Sequence, residues 1–281
     1  MTARRGFSLI EVMIALVAAA LIGSLAAVAT GRLQMAGRSR AERSGLVGSL
    51  RAVVGVLETE LRSLGNDSVS GADHQIVAAN SLTFRAHRGL VVACRVAVDT
   101  VILALDRLPA FRSRLPASGR DSLLLYIEGD STGTIDAWLP LPILAGPTAA
   151  SCPGGWPGWL YSTRLAAADL TRYRIPPFGL GRFFEFVNAR AYSSATGPHF
   201  GVEGLSAGAV VQPVAGPLRP AGGLEYLGFD RAGSASATPF DVVGFDLVIR
   251  GLTSRDLAVG PGLVAPVADS ARGAVRLRNA R

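Results

Sequence analysis

The side chain in this sequence that most needs a chemical explanation is Glu11, a carboxylate inside an apolar run from Phe7 to Ala29. An acid placed centrally in a membrane span costs about 2.5–3.5 kcal/mol on insertion scales, so it requires a partner. Cleavage after Gly6 would supply one. Phe7 would then be the N-terminus and Glu11 would lie in the first helical turn, where the helix dipole favours an anion. An α-ammonium from the same or a neighbouring chain could pair with it there. The run is about 35 Å long as a helix at ~1.5 Å per residue, which is enough to cross a bilayer. A secretory signal peptide has a core of only ~7–15 apolar residues. Ala27-Val28-Ala29 before Thr30 nevertheless has the small residues of a signal-peptidase site, so that second cut stays open.

Other candidate constellations are poorer. Cys94 and Cys152 lie far apart with no CxxC, which disfavours metal or thioredoxin-like chemistry. In an oxidising compartment they form either a disulfide or two separate thiols. Gly204-Leu205-Ser206-Ala207-Gly208 spells the hydrolase elbow G-x-S-x-G, but in that fold the His follows the Ser, and His199 is the last His here. His74, His87 and His199 have no ligand spacing. Glu128, Asp130 and Thr132 copy the first, third and fifth oxygen ligands of a calcium loop, with Gly133 at the sixth position; the twelfth is Leu139 instead of the bidentate Glu. A turn between strands is the plainer reading. Trp156, Trp159 and Tyr161 form either an exposed aromatic patch or a loop packed on a sheet. No cofactor is expected.

The elements that must hold these residues follow from composition and pattern. The chain has 281 residues, and its 17% charged fraction beside 49% hydrophobic excludes a disordered chain. With 33 Gly and 16 Pro and no G-x-y period, a β-rich protein with many turns is implied and collagen excluded. All 28 basic residues are Arg, a compositional bias, and the formal charge is +7. Contact with nucleic acid or anionic lipid is compatible with that charge, and Arg32, Arg38, Arg40 and Arg43 just beyond the apolar run could meet lipid head groups.

Leu46, Leu50, Val53, Val54, Leu57, Leu61 and Leu64 recur at helical spacing, Glu58 and Arg62 form an i,i+4 pair, and Gly65-Asn66-Asp67 supplies a stop. One long helix is predicted, with a bend or local melting allowed by the glycines within 30–48. Strand-like runs follow at Gln75–Ala79 and Leu82–Ala86, joined at Asn80-Ser81, and at Val91–Val98, Val101–Leu105, Leu123–Ile127, Arg182–Tyr192, Leu224–Phe229, Val242–Arg250 and Ala274–Arg278. The stretches 140–158 and 197–223, crowded with Pro and Gly, are expected as surface loops. The fold class is α+β, with the half-exposed helix face of 46–64 laid on an antiparallel sheet.

Gly6-Phe7-Ser8-Leu9-Ile10-Glu11-Val12-Met13-Ile14-Ala15-Leu16 resembles the processing site of type IV prepilins and of the pseudopilins of type II secretion. The resemblance implies cleavage after Gly6 by a prepilin peptidase, N-methylation of Phe7, and neutralisation of a neighbour's N-terminal amine by Glu11. Val275-Arg276-Leu277-Arg278-Asn279 is loosely similar to the closing strand of PilW-like minor pilins and J-type pseudopilins. The N-terminal resemblance implies a leader at 1–6, a transmembrane segment at 7–29, an extracytoplasmic helix at 30–66 and one β-rich pilin-like domain at 67–281. The N-terminus would be cytoplasmic, the span in the inner membrane and the domain periplasmic. Expected partners are the peptidase, other pilin or pseudopilin subunits and inner-membrane lipid, with any contact to DNA or an exported substrate left open. The assembly would be a type IV pilus or a type II secretion pseudopilus, near its tip. The alternative is a signal-peptidase-cleaved secreted protein that binds polysaccharide or DNA.

Overall fold

The computed structural model describes residues 8–67, 69–104, 114–129, 136–206, 210–260 and 263–278, without the side chains of 76, 77 and 258–260. One 54-residue helix, α1 (Leu9–Arg62), opens the chain. At ~1.5 Å per residue it is about 80 Å long. Short strands β1 (Asn66–Asp67) and β2 (Gly71–Ala72) are followed by β3 (His74–Ala78), the 17-residue β4 (Ser81–Ala97), β5 (Thr100–Leu103) and β6 (Asp121–Ile127). Next come β7 (Ala137–Pro142), β8 (Ala145–Ser151), β9 (Pro157–Ser162), the six-residue helix α2 (Ala167–Arg172) and the 16-residue β10 (Gly179–Ser194). The remainder is β11 (Gly197–Gly204), β12 (Gln212–Ala215), β13 (Leu224–Phe229), β14 (Gly244–Leu252), β15 (Leu257–Gly260), β16 (Leu263–Ala265) and β17 (Ala268–Arg276).

The fold is α+β: a long apolar helix on antiparallel sheets. The stripe Leu46, Leu50, Val53, Val54, Leu57, Leu61 is buried, as the periodicity predicts, and packs on a three-stranded sheet ordered β13-β14-β17. Alternation sets the contact face. Phe245, Leu247 and Ile249 of β14 are fully buried, and Gly251, next in the same parity, lies under Leu46 and Leu50. Ser63, in the αR region, closes the helix by donating to the Glu60 and Leu61 carbonyls, two residues before the predicted stop at Gly65. The glycines of 30–48 do not interrupt α1, whose helical assignment is continuous.

A ten-stranded sheet is organised by β4 and β10, which pair with each other from Ala93↔Gly179 to Ser81↔Arg190. Their ends nearer α1 join the first hydrophobic cluster through Leu82, Phe84, Ala86, Val187 and Ala189. Their other ends join a second cluster built from Val91, Ala93 and Phe183 with Leu103, Leu123, Leu125, Leu139, Leu141 and Tyr161. The predicted hairpin at Asn80-Ser81 is present, with Gln75↔Thr83 and Ile76↔Leu82 paired.

The loop expectation for 140–158 and 197–223 is overturned, because β7, β8, β9, β11 and β12 occupy much of both stretches. Edge pairing explains the error. β7 pairs only with β6, β8 only with β9, and β12 only with β11, so Pro140, Pro142, Pro147 and Pro213 sit where a missing N–H removes no central ladder bond. Strand ends also move: the expected Val91–Val98 and Leu82–Ala86 are one strand, Val242–Arg250 is observed as Gly244–Leu252, and the closing strand runs from Ala268 to Arg276, not from Ala274 to Arg278.

Candidate functional site

The N-terminal surface of α1 is built from Ser8 upward. Ser8 takes the N-cap position, its hydroxyl accepting from the Ile10 N–H at 3.4 Å, and Glu11 at the third helical position returns the contact by accepting the Ser8 N–H at 3.0 Å. This capping box satisfies two of the donors that a helix start leaves free, and puts the anion at the positive end of the dipole. Gly6 and Phe7 lie outside the described residues.

Beyond Glu11 the helix presents bare apolar side chains. Leu9 is 81% exposed, Ile22 68% and Leu25 69%, and Ser24 hides its hydroxyl by donating to the Leu21 carbonyl at 2.9 Å. Leaving the large apolar side chains from Leu9 to Val28 in water would cost about 20 kcal/mol, at roughly 2 kcal/mol each. That exceeds the net stability of an ordinary domain, ~5–15 kcal/mol. This surface therefore needs lipid or another helix against it. Among the described residues α1 is the one helix long and apolar enough to cross a membrane.

The transition from bare to packed helix is marked by polar ties. Glu42 accepts from the Ser254 hydroxyl at 3.0 Å and lies 3.8 Å from the Arg255 guanidinium, and Arg43 meets Asp269 at 3.3 Å. Further along, Arg88 of β4 joins Glu60 of α1 at 3.0 Å to Glu185 of β10 at 2.6 Å. Arg120 and Arg114 also hold Glu185, and Arg114 grips the buried Asp121. Burial raises the Glu185 carboxyl, but the hydrogen bonds from Arg120 and Arg88 outweigh it and hold the group below its ordinary value. These residues come from four distant segments, and the sequence offered no spacing by which to find them.

The remaining sequence candidates separate. Cys94 and Cys152 are joined as a disulfide, with Cα atoms 5.6 Å apart. Glu128 is engaged by Arg174 at 3.2 Å, whereas Asp130 and Thr132 lie outside the described residues. Ser206 follows the end of β11, and β12 comes next, so the described chain around it lacks the strand–turn–helix of an elbow. His199 contacts Ser194 at 3.0 Å instead. His87 lies 3.8 Å from Asp73, and His74 is buried against the Phe245 ring. The aromatic patch is divided: Tyr161 is core, Trp159 half-buried, and only Trp156 is exposed, tilted against Phe178.

Compared with known families, residues 1–28 match the prokaryotic N-terminal methylation motif. No curated protein and no solved structure matches the chain. The motif is the type IV prepilin-like signature. It supports a type IV pilin-like, structural protein with one N-terminal apolar helix fit to anchor it in a membrane, and it suggests processing by prepilin peptidase and assembly with other pilin subunits.

Proposed function

We propose that this chain is a minor pilin or pseudopilin, cut after Gly6, N-methylated at Phe7, and assembled near the tip of a type IV pilus or a type II secretion pseudopilus. Before assembly, residues 7–29 hold it in the inner membrane with the leader 1–6 on the cytoplasmic side and the 67–281 domain in the periplasm. On assembly the exposed apolar face of α1 exchanges lipid for neighbouring helices. Glu11 exchanges its own Ser8 N–H for a neighbour's terminal ammonium, which fixes the axial register of one subunit on the next.

The observation that carries this reading is Glu11 at the third position of a helix whose surface up to Gly45 is almost wholly exposed. A span of lipid alone accounts for the apolar surface, and the capping box gives Glu11 hydrogen bonds but no countercharge, which a neighbour's ammonium would supply. The Cys94–Cys152 pair supports the periplasmic side, since disulfides persist in oxidising compartments.

N-terminal mass spectrometry of the protein from host membranes, with and without active prepilin peptidase, tests it. A mature chain beginning at N-methylated Phe7 only when the peptidase is active is the expected result. A chain beginning at Thr30 would replace this reading with that of a secreted soluble protein.

A further inference from the structure

β10 has two faces in its lower half. Phe183 belongs to the second hydrophobic cluster and Gly181 lies against Leu123 and Val91 of the same cluster, so Leu180 and Arg182, in the opposite parity, point to the other side of the sheet. Register places their neighbours on this outer face: Val92 opposite Leu180, Leu90 and Leu124 on either side of Arg182, and Trp138 opposite Tyr126 one strand farther out. Val92 in turn packs on the small cluster around the Cys94–Cys152 disulfide. Trp156, whose carbonyl accepts from the Cys152 N–H at 2.8 Å, meets the Phe178 ring at 5.5 Å. Phe178 has φ +58°, a left-handed conformation that a bulky residue rarely adopts. Trp156, Phe178 and Leu180 are 40%, 41% and 50% exposed.

Arg182 brings a charge to this face and has no anion to match it. Its guanidinium carbon lies 4.3 Å from the centroid of the Trp138 ring, and its side chain makes no hydrogen bond or salt bridge among the described residues. Burial pushes the group below its ordinary pKa, and the field of Asp73 opposes that only in part. Asp73 is already engaged, by Arg85 at 2.8 Å and by the Gly65 N–H at 3.0 Å. Arg88 and Arg114, half-buried like Arg182, each grip carboxylates instead. A cation drawn partly out of water without a counterion is a cost that nothing inside this chain offsets.

We propose that this face docks a segment of another protein in which a carboxylate stands among apolar side chains. The carboxylate pairs with Arg182, and the apolar residues cover Leu180, Phe178 and Trp156. A tryptophan and an arginine at the centre of an apolar patch are the usual anchors of a protein–protein contact. A polysaccharide fits less well, because Arg182 covers one face of the Trp138 ring and Asp136 holds the Tyr126 hydroxyl. Sugar hydroxyls would exchange water for mostly apolar side chains. A second copy presenting the same face would bring Arg182 toward Arg182. No residue of α1 enters the argument, so it is independent of the assembly reading above.

The test uses the full chain in its own host, with photoreactive benzoylphenylalanine in place of Leu180 or, as a control, of the exposed Ala232. Adducts are mapped by mass spectrometry. The expected result is a Leu180 adduct several-fold above the Ala232 level, on a protein segment that carries Asp or Glu. Arg182→Glu should cut its yield by roughly five-fold, and exchanging the mapped acid for Arg should restore it. Arg182→Gln should lose the adduct as well while the purified chain melts at or above the parent temperature, since no internal partner is lost. A lower melting temperature for Arg182→Gln would assign Arg182 to the fold and overturn the proposal. A Leu180 adduct no stronger than that at Ala232 would overturn it too, as would one on lipid, on polysaccharide or on a second copy of this chain. So would a protein adduct indifferent to Arg182→Glu. A mature chain beginning at Thr30 in the same sample would overturn the pilin-like reading instead and leave the docking to be decided by its adduct.

Discussion

Gly273 of β17 faces Val54 of α1 so closely that a Cβ at Gly273 would fall 2.5 Å from Val54 Cγ1, and it would also strike the Glu58 carboxylate. The helix and the sheet are in contact through the missing side chain. Gly273→Val should therefore force the two apart and destabilise the fold by about 1–3 kcal/mol, the usual cost of overpacking. Urea unfolding of the detergent-solubilised protein measures it, and an unchanged midpoint would show that the contact can relax.

Arg88 ties α1 to the ten-stranded sheet by bridging Glu60 and Glu185. Arg88→Ala should cost about 2–4 kcal/mol, because it leaves the nearly buried Glu185 with fewer cations than its burial demands. Glu60→Ala on its own removes the outer, more exposed partner and should cost under about 1 kcal/mol. Equal effects of the two substitutions would mean that Arg114 and Arg120 already suffice for Glu185.

Stability should fall as the solution is acidified from about pH 6.5 to about pH 4. Burial pushes the His74 imidazole down to about 4, against the partial opposition of Asp73, so the unfolded chain takes up a proton at pH values where the folded one does not. The loss over that window is on the order of 3 kcal/mol. Asp73 adds to it at the acid end. Burial raises its carboxyl, but His87 and Arg85 hold it below its ordinary value, so the stability it contributes above the unfolded carboxylate range is lost as pH falls through the lowered one. Thermal melts at pH 7 and pH 4.5 should separate clearly, and His74→Gln should narrow the gap; an unchanged gap would assign the whole acid sensitivity to carboxylates.

Glu11→Leu should still insert in the membrane and lose only the capping box, a cost of about 1 kcal/mol at the helix start. Its incorporation into fibres should fail. Recovery of the variant in sheared fibres at the parent level would remove Glu11 from the assembly mechanism.

Replacing both Cys94 and Cys152 by Ser opens a loop of 58 residues and should cost up to about 4 kcal/mol by chain entropy. A reducing agent should lower the melting temperature of the parent and leave the double variant unmoved.

The sequence made the helix legible because its signals are local: a stripe repeating every three or four residues, an apolar run long enough to span a bilayer, and an acid in its first turn. The N-terminal motif was legible for the same reason. The sheet was harder to read wherever proline and glycine serve packing, as where Gly158 admits Ile102 and Cys152, and Gly201 admits Val211 and Tyr192. Those glycines look like turns in one dimension and are close approaches in three. The tie from Glu60 through Arg88 to Glu185 joins residues that no periodicity connects.

β4 and β10 each extend through both hydrophobic clusters, with a bulge in their pairing at Phe183/Phe184 between the two. Neither cluster can come apart alone, because its loss would strip partners from strands whose other halves are needed elsewhere. The described β-structure should thus behave as a single cooperative unit, with its slowest-exchanging amides in these two strands on either side of the bulge and its lowest-energy openings at β8, β12 and the β15–β16 hairpin. A subunit of this kind meets stress by loosening its rim while the centre stays whole.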